Sequence, residues 1–139
     1  MKKFLFTLFF ALFLFTVNAQ VYVAKTTSVR FSNIINVEQN KWTEWSLPDV
    51  VSVIIMHDSI TNSFKIYTSN LSELSIIEHY GWSTTDKGID LYTIACVDND
   101  GIRCNIQIGE IEKIHFFKID YIDFSILYDV VILNSNIKK

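Results

Sequence analysis

Two cysteines, three histidines and scattered carboxylates are the residues of this chain with the chemistry to do work. Cys96 and Cys104 are its two thiols, and they bracket the run Asp98-Asn99-Asp100-Gly101. A glycine after Asn-Asp fits a three-residue loop with a left-handed last position, which makes the stretch from Asp90 to Gly109 a β-hairpin. That loop sets the register: Asp98 faces Ile102, Cys96 faces Cys104, Ile94 faces Ile106 and Tyr92 faces Ile108. In an oxidising compartment a facing cysteine pair predicts a disulfide, since zinc needs more than two ligands. How well the bridge fits depends on whether the pair occupies a hydrogen-bonded or a non-hydrogen-bonded site of the ladder.

The run Asp98 to Gly101 also has the look of half a calcium loop. Aligned that way, Cys96 falls on the first ligand position and Gln107 where a bidentate Glu is needed, so the turn accounts for these residues better. His57, His79 and His115 lie in separate segments without the spacing that sets two imidazoles on one metal. No metal and no cofactor is predicted. His57-Asp58 with a serine would suggest a hydrolase triad, but no Gly-x-Ser-x-Gly elbow is present. Asp120 and Asp123 would suit glycoside hydrolysis if they shared a cleft, whereas a turn explains them equally. No catalytic residue is assigned, and a small exported hydrolase using carboxylates stands as the alternative to a non-catalytic domain.

Binding is better served than catalysis. Trp42 and Trp45 stand two apart, on one face of an extended strand, and Trp82 sits in the polar stretch from Gly81 to Gly88. Core burial claims most aromatics of so small a domain. Trp82, Trp42 and Trp45 are the candidates for contact with a ligand or partner. Asn70-Leu71-Ser72 is formally a sequon and marks an exposed loop.

The elements that must position these residues are strands. From Val21 on, β-branched and aromatic residues dominate and helical periodicity is nearly absent. Val21 to Ala24, Ser28 to Ile35, Val50 to Met56, Phe64 to Tyr67, Leu74 to Tyr80, the hairpin described above, Lys113 to Tyr121 and Ile126 to Leu133 read as strands. The expectation is an all-β domain, an antiparallel meander of about seven to nine strands. It forms either a small lipocalin-like barrel or a two-layer sandwich.

Residues 1–19 have the form of a secretory signal peptide: Lys2 and Lys3, then the apolar run Phe4 to Val17, then Val17-Asn18-Ala19 as a cleavage site. The apolar run falls short of the roughly 20 residues that span a bilayer. Cleavage leaves 20–139 as one β domain, periplasmic or secreted, with no stable membrane insertion. It also removes two of the 12 basic residues while all 15 acidic ones stay, so the net charge moves from -3 to -5. With no cluster of lysines and arginines, nucleic acid is not an expected partner.

Trp42-Thr43-Glu44-Trp45, the turn Asp98 to Cys104 and the hairpin Ile119-Asp120-Tyr121 to Tyr128-Asp129-Val130 together follow an export signal. In this the chain resembles small secreted bacterial β-domain proteins of uncharacterised function. The resemblance implies an architecture and no activity. The function expected is an exported, non-catalytic domain that binds a small apolar ligand inside a barrel or a protein partner along a sheet edge.

Overall fold

Where apolar and polar residues alternate, as in Ser63–Tyr67 and Arg103–Ile111, the segments are strands. The computed structural model describes residues 21–36, 41–42 and 46–137. The expected signal peptide, 1–19, and Trp45 lie outside the described residues. Among the described residues there are ten strands: β1 (Tyr22–Asn36), β2 (Lys41–Trp42), β3 (Asp49–Val50), β4 (Ile54–Asp58), β5 (Ser63–Tyr67), β6 (Leu71–Thr84), β7 (Asp90–Val97), β8 (Arg103–Ile111), β9 (Ile114–Asp120) and β10 (Phe124–Ser135). None of the described residues forms a helix long and apolar enough to cross a membrane.

From β4 to β10 each strand pairs antiparallel with the next. The long β1 pairs with β4 on one side and β10 on the other, so Lys25 faces both Ile54 and Val131. This closes an up-and-down barrel of eight strands, with β2 and β3 as short additions to β1. The barrel alternative therefore holds and the sandwich does not. Closure leaves the eight strands without a free first or last edge, the liability of an open apolar sheet.

Each of the eight barrel strands contributes apolar side chains to the interior. Tyr22, Phe64 and Phe117 meet across the interior, with Phe64 and Phe117 centroids 5.4 Å apart and Tyr22 about equally distant from both at 6.1 and 5.9 Å. Ile55, Ile94, Ile106 and Ala24 fill the space around them with no solvent exposure above 1%. A barrel of this strand number has an interior just wide enough for side chains to fill. The end where Cys96, Cys104 and Ile119 lie is packed in this way.

The Asn-Asp-Gly hairpin has the expected register, with Cys96 opposite Cys104, Ile94 opposite Ile106 and Tyr92 opposite Ile108. Gly101 takes φ 79° and its N–H donates to Asp98 O, while Asp98 N–H donates to Ile102 O at 2.9 Å. The disulfide expected at this pair is absent: both cysteines are free and buried. The physical reason lies in the ladder. Because Asp98 and Ile102 exchange a backbone hydrogen bond, alternation makes Cys96 and Cys104 a hydrogen-bonded pair as well, the wider of the two site types. Pairs of this type generally hold their Cβ atoms farther apart than non-hydrogen-bonded pairs do, a less easy fit for a disulfide. Burial then pushes the Cys96 thiol up to about 12 and the Cys104 thiol up to about 11, so both stay protonated.

The strand β6 is longer than its alternation suggests. It pairs with β5 as far as Ser75, then continues along β7 to Thr84 through two register shifts, the second at Gly81 with φ 81°. Bulges bend a strand and strengthen its twist. The upper half of β6, with Trp82, thereby becomes wall at the barrel's open end. Trp82 was expected in a loop and is in a strand.

Candidate functional site

Antiparallel order brings to one end of the barrel the start of β1, β7 and β9 and the finish of β6, β8 and β10. There the interior is not filled. A cavity of about 680 Å³ opens, with Tyr22, Trp82, Ile108 and Ile132 among its lining residues. The register explains why these side chains converge. On β7 and β8 the inward residues continue past Tyr92 and Ile108, so the next inward positions are Asp90 and Glu110, one step beyond the pair Leu91–Gly109.

The aromatic wall is fixed by its own contacts. The Trp82 and Tyr92 rings meet edge to face with centroids 5.4 Å apart, and the Tyr92 hydroxyl lies 3.0 Å from His79 Nδ1. Burial holds His79 below the usual histidine range, with the charge of His57 as a second cause. Edge-to-face packing of this kind adds about 0.5–1.5 kcal/mol beyond burial and limits ring motion. Trp82 itself remains 36% exposed.

At the rim the charged groups are mostly acidic. Asp90, Glu110 and Glu112 line the cavity with His115, and neither Lys nor Arg is among its described lining residues. Asp90 accepts a hydrogen bond from the Thr84 hydroxyl at 2.6 Å, and His115 Nε2 stands 3.9 Å from Glu110 Oε2. Glu112 and Lys113 form the β8–β9 turn with both φ values positive, 53° and 67°. That is the mirror-image turn that suits a tight hairpin and that Asn-Gly adopts with least strain.

Tyr22 lines the same cavity at 1% exposure, and its hydroxyl has no hydrogen-bond partner among the described residues. Burial raises its pKa well above the ordinary value, so the phenol keeps its proton.

Of the tryptophans named from sequence, Trp82 lies on this cavity. Trp42 belongs to β2, paired through its backbone with Ile34, and Trp45 is outside the described residues. The catalytic constellations weighed from sequence are held in other contacts. Asp58 pairs with Lys65 at 2.8 Å and accepts from the Ile60 and Thr61 N–H groups of its turn. Asp120 is bonded to Ser125 and lies 3.3 Å from Lys118. Asp98, the first carboxylate of the calcium-loop alignment, accepts from the N–H groups of Asp100 and Ile102 and from the Tyr121 hydroxyl. No three His, Cys, Asp or Glu side chains among the described residues lie close enough together to hold a metal.

Tyr22, Asp90 and Glu110 were missed by sequence reasoning. The signal for the last two was present, since stepping the hairpin register outward once more from Tyr92 and Ile108 places two carboxylates together on the inward face. Compared with known proteins, the chain matches no family model, no curated protein and no solved structure.

Proposed function

We propose that this is an exported, non-catalytic binding domain that holds a small, mainly apolar ligand in the open end of its barrel. The cavity carries the reading. Its volume of about 680 Å³ falls within the roughly 300–1,000 Å³ of small-molecule sites, which are apolar with a few placed polar groups. Trp82, Ile108 and Ile132 supply apolar wall, and the Tyr22 hydroxyl and rim carboxylates supply the polar points. Export is supported by Lys2, Lys3, the apolar run that follows and the site at Ala19.

A second reading rests on the upper half of β6. Beyond Ser75 no strand among the described residues pairs with it on the β5 side, and Ile77 and Tyr80 are exposed there. An added strand from a protein partner would satisfy that edge.

Native mass spectrometry of the protein purified from an exporting host separates these readings. A mature chain beginning at Gln20 with a small molecule released at higher activation energy supports the exported carrier. An empty monomer that also binds no apolar probe overturns it, and a dimer broken by Ile77→Lys favours the edge.

A further inference from the structure

We infer that the ligand of this cavity is a small organic cation, an apolar body carrying a protonated amine. The inference rests on the binding reading and adds to it the chemical class of the ligand. Charge at the rim is the first observation. Among the described residues three carboxylates, Asp90, Glu110 and Glu112, line the cavity, and no lysine or arginine does. Lys87 and Lys113 stand on adjoining turns, but neither is a lining residue. His115 adds positive charge only when protonated. An anionic ligand such as a fatty acid would meet three like charges in a partly desolvated site, where they are felt more strongly than in water. An ammonium group would meet three opposite ones.

The Tyr22 hydroxyl is the second, independent observation. It is buried, Tyr22 lines the same cavity, and no hydrogen-bond partner for it lies among the described residues. A buried hydroxyl without a partner is costly, and such groups are rare unless a ligand or water completes them. An ammonium carries three donors and no acceptor, so carboxylate and phenol oxygens are the partners it needs. Trp82 is the third. Its exposed indole beside Tyr92 offers a π face to a cation, the geometry used for binding organic ammonium groups.

The test uses three probes of one chain length on the mature protein at neutral pH: n-octylamine, n-octanol and n-octanoate, with affinity read by isothermal titration calorimetry. Octylamine is expected to bind at least about tenfold more tightly than octanoate. Glu110→Gln, a change at an exposed rim position, should weaken octylamine about fivefold and leave octanol within about twofold. An unchanged melting temperature in the variant shows that the fold is intact. Octanoate or octanol binding as tightly as octylamine overturns the amine assignment while leaving the cavity as a binding site. Failure of all three probes overturns the cavity reading and this inference with it.

Discussion

The Tyr121 hydroxyl donates to Asp98 Oδ2 at 3.0 Å, and this one bond ties the β7–β8 turn to the β9–β10 turn. The other oxygen of Asp98 accepts from the Asp100 and Ile102 N–H groups, both at 2.9 Å, so a single carboxylate holds its own loop and clamps a neighbour. Tyr121→Phe is expected to lower stability by about 1 kcal/mol, and Asp98→Ala by at least about 2 kcal/mol, in urea unfolding. The Ile102 N–H first, and Tyr121 and Asp100 after it, hold the Asp98 carboxyl below its usual 3.8. A carboxylate depressed in the fold contributes stability above its unfolded pKa and loses it as pH falls through the folded value. Asp98→Asn should therefore flatten the stability curve below about pH 4, and an unchanged acid limb would refute the clamp.

The two thiols give a chemical prediction. Cys96 and Cys104 are buried and free, with pKa values pushed up to about 12 and about 11 by burial. The thiolate is the reactive form, so both should resist iodoacetamide in the native protein. In urea without reductant, two carbamidomethyl groups should add, and a mass showing none would establish a bridge. Cys96→Ala should cost ~1 kcal/mol through the small void it leaves.

These results mark what local sequence can carry. The hairpin register was legible because an Asn-Asp-Gly loop and strict alternation act over a few residues, from Cys96 to Cys104. The strands β9 and β10 were legible for the same reason, and Phe117, Ile119, Val130 and Ile132 lie in or against the core. Closure was not legible as a choice between barrel and sandwich. It depends on Val29 meeting Tyr128 across nearly the whole chain, and no local pattern records such a contact. Compartment and spacing favour a disulfide, whereas ladder parity decides whether a facing pair bonds easily. The last residues of β6, Gly81 to Thr84, escaped because Gly81 looks like a loop residue and in fact makes a bulge. The cavity joins residues of six strands, so only Trp82 could be guessed from its neighbourhood.

Gly109 tests the wall behind the cavity. It faces Phe116 across β8 and β9, and a Cβ added there would stand 2.8 Å from Phe116 Cζ and 2.9 Å from the Asp90 carbonyl oxygen. A ring laid over a strand glycine covers exposed backbone and helps to pin register. Gly109→Ala should destabilise the domain by about 1–3 kcal/mol, the usual cost of overpacking. Adding Phe116→Leu should recover only part of that, because the Asp90 oxygen is backbone and cannot swing away. Full recovery in thermal unfolding would show that the ring alone sets the limit.

His79 makes the open end of the barrel acid-sensitive. Its Nδ1 lies 3.0 Å from the Tyr92 hydroxyl, and burial first, then the charge of His57, lowers its pKa from 6.5. A histidine depressed in the fold is protonated more readily when unfolded. Its neutral form costs nothing above pH 6.5, and stability falls as pH drops from there toward the lowered folded value. The window is distinct from that of Asp98, whose depressed carboxyl acts below its usual 3.8. His79→Gln keeps a hydrogen-bonding side chain and removes the titration, so its urea midpoint should decline less than wild type between pH 7 and pH 5. Equal slopes in the two proteins would place the acid sensitivity elsewhere. Tyr92→Phe separates the two contributions, since it removes the hydroxyl contact while leaving the imidazole in place. It should lower the midpoint by a similar amount at pH 8 and at pH 5, and a loss confined to acid pH would mean that the hydroxyl itself controls the protonation of His79.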